Sequence, residues 1–370
     1  MIMKGWKEHG DEICFLTQFQ GKIEDYTYVR PVQIGYTKLF NWFNHIYVTK
    51  LNKNNPAAKD MCLRYGVPPM KKMRAAIEAF HPDLVILRER SLYTIWTYRI
   101  CRKLGVRTFL YNLSPVWAEK SWFNDDLPHR IVRKLTPEYR FSPTHQIGYD
   151  MTGKVRDSHS YFAPFLVEPK CPPEQKKYFQ DGFINIFEIG KYQERKNHFL
   201  MVEAVEKLRS KYPDIRLTIA GELSDDFHRD YKKRLEEYIA EHQLNEIVTL
   251  KYNLNREEVG KEYLKADLFV VPSTGEPASI TVIESMAYSV PSISGTDNGT
   301  ADYITPGITG EIFRDCDVDD LVAKMDSILS DRNKIPVMGR AGYNYILSRH
   351  QFANYYSVIR QMIEDSSSGV

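Results

Sequence analysis

The sequence predicts a two-domain α/β protein of the doubly wound type, and three observations lead to this fold class. From about residue 184, short β-branched runs alternate with amphipathic segments, the pattern of a parallel sheet covered by helices. The first half repeats this alternation less regularly. Between the halves, residues 162–173 carry four prolines, a composition typical of a linker. The 370 residues also exceed the usual size of one core.

The individual elements follow from these patterns. In the second half we expect strands at residues 184–190, 215–221, 247–251, 268–272 and 290–295. Helices are expected between them because apolar residues recur every three or four positions. In the first half, weaker signals predict strands at residues 12–18, 83–87, 107–112 and 139–142, with helices at residues 75–80 and 93–104. Two further helices are expected at residues 338–348 and 352–363.

The net charge of +2 is unevenly distributed along the chain. Residues 1–170 hold 26 Lys and Arg against 16 Asp and Glu, a balance of +10, and the remainder holds 24 against 32, a balance of −8. The asymmetry points to an anionic partner for the first half, such as a lipid surface, a phosphorylated acceptor or nucleic acid. An unevenly solvated surface is the other interpretation.

Cysteine spacing and hydropathy indicate the compartment. The five cysteines stand singly, without the spacing of a zinc site or a disulfide framework, which fits a reducing cytoplasm. No run approaches the ~18 apolar residues of a membrane span, and residues 1–10 lack the apolar core of a signal peptide. We therefore expect a cytoplasmic protein, with any membrane association peripheral at the inner face.

The segment 272–284 carries the clearest chemical signal. It follows a predicted strand and opens a helix, so backbone N–H groups near Ser279 and Ile280 are expected to point at an anion. Glu276 precedes this helix and Glu284 lies inside it, so two carboxylates bracket the anion site. A nucleotide diphosphate sugar has the matching layout, with ribose hydroxyls and sugar hydroxyls on either side of its phosphates.

A second segment supplies positive charge. Gly190 ends the first predicted strand of the second half, and Lys191 and Lys196 follow it. Ligands of open α/β sheets bind beside the carboxyl ends of strands, so these lysines are expected to reach a leaving diphosphate. One well-aligned donor at a developing negative charge is worth roughly 3 to 4 kcal/mol.

Residues 184–345 resemble the C-terminal domain of the family-four retaining glycosyltransferases, which have the GT-B fold. Four pieces occur in the order of the family. They are the strand with Gly190, Lys191 and Lys196; the strand ending in Ile219, Ala220 and Gly221; the pair Glu276 and Glu284 with seven residues between them; and the run Asn298, Gly299 and Thr300.

The resemblance implies two Rossmann-like domains that face each other across a cleft. Residues 1–168 would form an N-terminal acceptor-binding domain, and residues 175–345 would bind the nucleotide-sugar donor. Residues 346–370 would form a C-terminal helix crossing back towards the first domain, with a flexible tail.

The resemblance also implies roles for single residues. Glu276 would lie against the donor sugar and stabilise the positively charged transition state, Lys191 and Lys196 would contact the diphosphate, and Glu284 would bind the ribose. The acceptor would attack the face from which the diphosphate leaves, so the anomeric configuration is retained. The implied catalytic residues are Glu276, Lys196 and Lys191. The implied donor-binding residues are Gly190, Lys191, Lys196, Glu276, Ser279, Ile280, Thr281 and Glu284.

The sequence departs from the family pattern in three places. Ala278 and Ser279 replace the usual Phe-Gly, which alters the donor-sugar pocket. Lys191 stands where the family generally has Arg, so a point charge replaces a bidentate clamp. The opening strand and glycine-rich loop of the first domain have no counterpart, and neither has its histidine, so acceptor-side catalytic residues are left unassigned.

Two segments allow competing interpretations. The cluster of Asp315, Asp317, Asp319 and Asp320 is the kind of group that holds a metal, but helix capping is the interpretation we favour. Residues 37–51 form an amphipathic helix for which burial in the core and attachment to a membrane surface are both considered. Its apolar side carries Leu39, Phe40, Phe43, Ile46 and Tyr47.

We therefore expect a metal-independent retaining glycosyltransferase of surface polysaccharide or glycoconjugate biosynthesis. It would use a UDP-type or GDP-type nucleotide sugar as co-substrate, no cofactor, and a saccharide or lipid-linked acceptor. We expect no nucleic-acid partner. The alternatives are a nucleotide-sugar epimerase of the same fold, and a noncatalytic scaffold or partner subunit suggested by the missing opening strand.

Overall fold

Two parallel β-sheets with helices between their strands organise the chain in this computed structural model. The structure describes residues 1–19, 21, 28–51, 65–123, 127–146 and 151–368. The chain divides into a first unit of Met1–Ser142, Val155–Ala163 and Tyr356–Val370, and a second unit of Pro143–Lys154 and Pro164–Tyr355. The change from the first to the second unit after Ala163 falls inside the proline-rich stretch.

The first unit contains a four-stranded parallel sheet in the order β3-β4-β6-β8, and β1 pairs with β2 and β5 with β7 in two small sheets. The strands are β1 (Leu16–Thr17), β2 (Val32–Gln33), β3 (Leu84–Arg88), β4 (Arg107–Tyr111), β5 (Trp117–Glu119), β6 (Arg140–Ser142), β7 (Lys154–Arg156) and β8 (Ser160–Phe162). The helices are Ile2–Glu8, Lys38–Ile46, Met70–Phe80, Leu92–Leu104, Lys120–Phe123 and Leu127–Lys134, and Tyr47–Leu51 is π-helical.

The strand predicted at residues 12–18 is shorter than expected. Only Leu16 and Thr17 pair, in parallel with Val32 and Gln33 of β2. Beside them, Ile34 packs with Met73, Ile77, Ile100 and Cys101 in a small buried cluster. Outside that pairing, the predicted strand gains no ladder of backbone hydrogen bonds within the described residues.

The last helix, Phe352–Ser368, contributes to the first unit from residue 356 onward. The Tyr161 hydroxyl donates to Asp365 Oδ2 over 2.6 Å, and Arg107 donates to the hydroxyl of Ser367 over 2.8 Å. The Trp6 ring meets the Tyr356 ring edge-on at 5.2 Å. Residues 366–368, which we expected in a flexible tail, continue the helix; residues 369 and 370 lie outside the described residues.

The second unit is built on six parallel strands in the order β11-β10-β9-β12-β13-β14. They are β9 (Ile184–Ile189), β10 (Ile215–Gly221), β11 (Val248–Tyr252), β12 (Leu268–Val271), β13 (Ser292–Gly295) and β14 (Gly310–Phe313). The helices are His198–Leu208, Asp226–Glu241, Arg256–Lys265, Thr281–Ala287, Val318–Leu329 and Lys334–Arg349, with 3₁₀ turns at Glu194–Lys196 and Ala301–Tyr303.

The five strands predicted for the second half are confirmed to within two residues at each end, whereas β14 was missed. The helix-start role of the aspartate cluster is confirmed for three of its four members, whereas Asp315 instead accepts from the Thr274 hydroxyl over 2.8 Å. Asp317 caps the helix Val318–Leu329 by accepting from the Asp320 amide over 2.9 Å, and Asp319 and Asp320 lie in the first turn. Within the described parts of the chain, no helix is long and apolar enough to cross a membrane.

A buried lysine ties the start of the second unit to its sheet. Lys176 Nζ donates to the carbonyls of Tyr263, Leu264 and Ala266 at 3.0, 2.7 and 2.6 Å, which caps the end of the helix Arg256–Lys265. Burial lowers the pKa of Lys176 to about 8, and the nearby Asp267 offsets part of this shift. The ammonium group therefore satisfies three helix-terminal acceptors at once.

We expect Lys176→Met to lower the free energy of unfolding by about 2–4 kcal/mol, because it removes a buried ammonium that donates to three carbonyls at the end of this helix. Urea denaturation followed by circular dichroism measures the change. Lys177→Met, at the exposed neighbouring residue, is the matched control. Equal midpoints for the two variants would rule out the capping role.

Candidate functional site

Two loops that follow neighbouring strands carry most of the predicted site residues. β9 and β12 are paired in parallel, so their carboxyl ends lie at the same edge of the sheet. The loop after β9 holds Gly190, Lys191 and Lys196, and the loop after β12 leads through Glu276 to the helix Thr281–Ala287. The Thr274 amide donates to the Arg195 carbonyl over 2.9 Å, which joins the two loops directly.

Glu276 receives two cations from the first loop. Lys196 Nζ lies 2.5 Å and Arg195 Nη1 lies 2.7 Å from the same oxygen, Glu276 Oε2. The Glu276 side chain is only 10% exposed and that of Lys196 14%, whereas that of Arg195 is 44% exposed. Lys196 and Glu276 thus meet in a largely desolvated position, where charge interactions are stronger than at the surface.

The pKa of the Glu276 carboxyl reflects these opposing effects. Burial raises the pKa, but the hydrogen bonds and positive charges of Lys196 and Arg195 together lower it by more, so the net shift of the pKa is downward. The carboxylate form is therefore the one that the protein holds in the site.

The backbone of Glu276 is fixed by the loop after β13. Its amide donates to the Asp297 carbonyl over 3.1 Å, and its carbonyl accepts from the Gly299 amide over 2.9 Å. A Cβ atom at Gly299 would lie 1.9 Å from the Pro277 carbonyl oxygen, so this close approach requires glycine. The run Asn298, Gly299 and Thr300 noted in the sequence therefore holds the Glu276 loop in place.

Gly190 has a similar steric role in the first loop. A Cβ atom there would lie 3.0 to 3.4 Å from the Lys196 side-chain carbons, so the glycine leaves room for the lysine stem beside the strand end. The Gly190 amide is held by the Ala220 carbonyl over 2.9 Å. Lys196 can therefore reach Glu276 across the end of β9.

The predicted amide donors fall into two groups. The Ser279 amide lies 3.4 Å from Asn298 Oδ1, and the Ser279 hydroxyl bonds with that of Thr281 over 2.7 Å. Among the described residues, none accepts a hydrogen bond from the amides of Ile280 and Thr281. The Ser279 amide thus differs from the other two in having an acceptor within the protein, and its binding to a donor phosphate stays a prediction.

Lys191 is placed differently from Lys196. Its ammonium lies 3.0 Å from Glu222 Oε2, and the two side chains are 47% and 48% exposed. An exposed pair of this kind contributes little to stability, and water screens it. Lys191 therefore forms an exposed ion pair with Glu222, whereas Lys196 forms a largely buried one with Glu276.

Glu284 lies within the helix Thr281–Ala287 and faces an aromatic neighbour. The Tyr263 hydroxyl is 3.5 Å from Glu284 Oε2. Burial raises the pKa of Glu284, and Tyr263 and Arg256 lower it in part. A half-buried carboxylate with a single weak donor retains acceptor capacity for ligand hydroxyls.

Comparisons with known proteins place part of this chain beside a family of sugar-transferring enzymes. Residues 174–345 match the family described as glycosyl transferases group 1. The chain carries a group 1 glycosyltransferase domain. The match contains every predicted site residue of the two loops, from Gly190 to Glu284.

Curated relatives align with less than half of this chain. A GDP-mannose-dependent alpha-(1-6)-phosphatidylinositol monomannoside mannosyltransferase from Mycolicibacterium smegmatis is 26% identical over 165 residues, 43% of this chain and 42% of that protein. Sulfoquinovosyl transferase SQD2 from Arabidopsis thaliana is 28% identical over 143 residues, 38% of this chain and 26% of that protein. The alignments thus span less than half the length of these relatives.

Solved structures extend the likeness beyond the group 1 domain. Sucrose-phosphate synthase from Thermosynechococcus elongatus superposes with a TM-score of 0.66 at 15% identity, covering 100% of this chain and 92% of that one. Anabaena HepE in complex with UDP and glucose gives a TM-score of 0.59 at 12% identity, covering 80% and 82%. The GT-B fold class predicted from the sequence is confirmed.

Sequence reasoning missed Arg195 as a partner of Glu276. The residue was visible in the motif, but an arginine on a loop is ordinarily a solvated surface residue. It also missed the buried pair of Glu188 and His198, which lie 2% and 0% exposed at either end of the loop after β9. A glutamate inside the apolar run of β9 is the signal that would have revealed the pair. Within the described residues, no group of His, Cys, Asp and Glu is placed to hold a metal ion.

Proposed function

We propose that this chain is a retaining, metal-independent glycosyltransferase that moves a sugar from a nucleotide diphosphate sugar to a saccharide or lipid-linked acceptor. The observation that carries the proposal is the convergence of Lys196 and Arg195 on Glu276 at the ends of β9 and β12. A role in surface polysaccharide or glycoconjugate assembly is part of the proposal and rests on likeness to the group 1 family.

The proposed chemistry assigns opposite charges to the two ends of the breaking bond. Lys196, with Lys191 nearby, neutralises the diphosphate as it leaves with the bonding electrons. Glu276 remains an anion beside the sugar, where an oxocarbenium-like positive charge develops. Once a diphosphate binds Lys196, the Glu276 carboxylate is released from its ion pair with that lysine and faces the sugar. Arg195 then continues to orient Glu276 from its exposed side.

The nucleotide would extend from the diphosphate along the start of the helix Thr281–Ala287. The amides of Ile280 and Thr281, for which the described part of the chain offers no acceptor, would bind phosphate oxygens, and Glu284 would accept hydrogen bonds from the ribose hydroxyls. The Ser279 and Thr281 hydroxyls line the same turn. A UDP-type or a GDP-type donor fits these contacts equally, since none of them touches the base.

Thermal unfolding in the presence of UDP, GDP, UDP-glucose and GDP-mannose tests the donor site. A nucleotide that binds only the folded chain at 100 times its dissociation constant stabilises it by about 2.7 kcal/mol, which raises the melting temperature by several degrees. No shift with any of the four would favour the scaffold alternative. Release of free nucleotide with an altered sugar, in the absence of an acceptor, would identify an epimerase instead.

The acceptor side of the proposal rests on the first unit, where the ends of β3 and β4 carry charged and aromatic residues. Arg88 ends β3 with its side chain 77% exposed. Glu89 follows with φ at +61°, a strained conformation held by its amide donating to the Tyr111 carbonyl over 2.9 Å. We assign this strand end to binding of an acceptor that carries phosphate.

Arg88→Ala is expected to raise the KM for such an acceptor by about 5- to 10-fold, the loss of one charged hydrogen bond, with the donor KM unchanged. Initial rates at varied acceptor concentration measure it. Arg74→Ala is the control, because Arg74 is a half-exposed helix residue paired with Glu78. An effect of equal size in both variants would contradict the assignment.

Peripheral attachment to an anionic membrane surface is a further part of the proposal. The helix Lys38–Ile46 has no buried residue, and Leu39, Trp42 and Phe43 are 74%, 62% and 51% exposed. The interpretation that this helix is buried in the core is therefore wrong. Aromatic residues flanked by lysines, in the basic half of the sequence, match a helix lying in a lipid headgroup layer.

We expect Leu39→Ser with Trp42→Ser to weaken binding to phosphatidylglycerol-containing vesicles by tenfold or more, since each large apolar side chain is worth about 1.5–3 kcal/mol on burial. Co-sedimentation measures the bound fraction. The control is Val337→Ser, an apolar residue of the second unit that is 67% exposed. Equal sedimentation of both variants and the wild type would exclude this helix as the contact.

A further inference from the structure

A buried acid and a buried histidine lie at the two ends of the loop that carries Lys191 and Lys196. Glu188 belongs to β9, two residues before Gly190, and is 2% exposed. His198 is the first residue of the helix His198–Leu208 and is fully buried. His198 Nδ1 is in hydrogen-bond contact with Glu188 Oε1, and His198 Nε2 lies 3.0 Å from the Lys191 carbonyl oxygen. The pair therefore connects the strand to the loop backbone.

These two contacts determine how many protons Glu188 and His198 hold between them. A carboxylate and a carbonyl are both acceptors, whereas a neutral imidazole has one N–H donor and one acceptor nitrogen. If Glu188 were an anion and His198 neutral, one ring nitrogen would face an acceptor with no hydrogen between them, in a buried position where such a mismatch is costly. Both contacts are satisfied only when the pair holds one additional proton, either on the ring or on the carboxyl. In each case His198 Nε2 carries a hydrogen.

We propose that Glu188 and His198 share this additional proton and act as positioning residues for the diphosphate-binding loop, through an Nε2–H donated to the Lys191 carbonyl. The inference rests on the proposed donor site. The contact fixes the backbone where the chain leaves Gly190, and Asn197, with φ at +58°, fixes the point where it enters the helix. Lys196 is thereby held within reach of Glu276.

Two tyrosine rings pack near the pair. The rings of Tyr192 and Tyr231 lie 5.4 and 5.7 Å from the His198 ring. Burial, with the charge of Glu188 adding to it, raises the pKa of both phenols, so they stay neutral. The charged groups around these phenols are Glu236 near Tyr192, and Glu194 and Arg234, which pair with each other, near Tyr231.

The proton count is tested on the full-length chain by NMR with histidine labelled with ¹⁵N at both ring nitrogens, at neutral pH. The His198 signal is assigned from its absence in His198→Ala. We expect Nε2 to carry a hydrogen in the wild type, with Nδ1 either protonated or hydrogen-bonded to a proton of Glu188. A ring protonated at Nδ1 alone would overturn the proposal, because Nε2 would then have no hydrogen to donate to Lys191.

The positioning role is tested by titrating UDP and GDP into wild type and variants by calorimetry. His198→Ala is expected to weaken nucleotide binding about 10-fold, because it removes the donor to the Lys191 carbonyl. Glu188→Gln is expected to bind within about twofold of wild type. The amide of the substituted glutamine can donate to Nδ1 of a neutral ring that carries its hydrogen on Nε2, so both hydrogen bonds are kept. Because glutamine has the same size and shape as glutamate, this variant is also expected to fold.

A second histidine–carboxylate pair of the same unit supplies the control. His242 Nδ1 lies 2.9 Å from Glu206 Oε2, with side chains 31% and 26% exposed, at the other end of the helix His198–Leu208. His242→Ala is expected to leave nucleotide affinity unchanged. If neither nucleotide binds the wild type, the proposed donor site fails. If one binds equally well to wild type and to His198→Ala, the donor site stands and the positioning role is refuted.

Discussion

Glu276→Gln is expected to lower kcat by 10²-fold or more while nucleotide affinity stays equal or rises. The substitution removes the negative charge that faces the developing positive charge of the sugar, and preorganised charges of this kind account for ~10²–10³-fold in rate. It also removes the ion pair that occupies Lys196 and Arg195 in the absence of donor. Both cations are then available to the diphosphate without competition from a carboxylate.

Transfer rates at saturating donor, together with calorimetric titration of the nucleotide, measure the two effects separately. Glu222→Gln is the matched control, because Glu222 pairs with the exposed Lys191 at the same edge of the sheet. A Glu276→Gln variant that turns over at the wild-type rate would remove Glu276 from the mechanism. A loss of affinity together with a loss of rate would indicate that the glutamate binds the donor rather than the transition state.

Lys196→Ala is expected to lower kcat/KM by roughly 10²–10³-fold, with contributions from both affinity and turnover. Lys196 is 14% exposed, so its charge acts on the diphosphate through little water. The variant also leaves Glu276 with Arg195, a partner that is 44% exposed and cannot replace a desolvated ammonium. The pKa of Glu276, which Lys196 contributes most to lowering, is expected to rise in this variant.

Two lysines serve as comparisons for Lys196. Lys191→Ala is expected to have a smaller effect, because its ammonium is 47% exposed and already paired with Glu222. Lys207→Ala, at an exposed position near the end of the helix His198–Leu208 where Lys207 pairs with Asp319, is expected to have none. We expect steady-state kinetics to show the largest loss of kcat/KM for Lys196→Ala, a smaller loss for Lys191→Ala and none for Lys207→Ala. A larger effect for Lys191 than for Lys196 would contradict the division of roles.

The second half of the fold was predictable because its strands are long and apolar. The whole of β10 was predicted with its observed bounds, since Ile215–Gly221 is a β-branched run ended by a glycine. In the first unit β3, β4 and β6 were also predicted, but β1, β2, β5, β7 and β8 are only two or three residues long. β1 consists of Leu16 and Thr17, which pair with Val32 and Gln33 of β2, and β8 is three residues long. Segments of this length have too little periodicity to separate them from loops.

Site residues were predictable where the residue type and its place after a strand indicate the role. Side-chain pairs between residues of different loops were not predictable. Glu276 and Lys196 follow strands that end at one edge, so their proximity was expected, and the structure joins them at 2.5 Å. The pairing of Lys191 with Glu222 and of Arg195 with Glu276 depends on side-chain direction, which spacing along the sequence does not encode. The roles of these residues in transfer stay predictions.

The placement of residues 356–368 in the first unit affects how the chain folds during synthesis. Tyr161 and Arg107 bond with Asp365 and Ser367, residues that leave the ribosome about 200 residues later or more. The first unit therefore cannot be completed until the whole of the second unit has been translated. We expect a chain truncated after Tyr355 to show a protease-resistant second unit and a susceptible first one, the reverse of the order in which they are made.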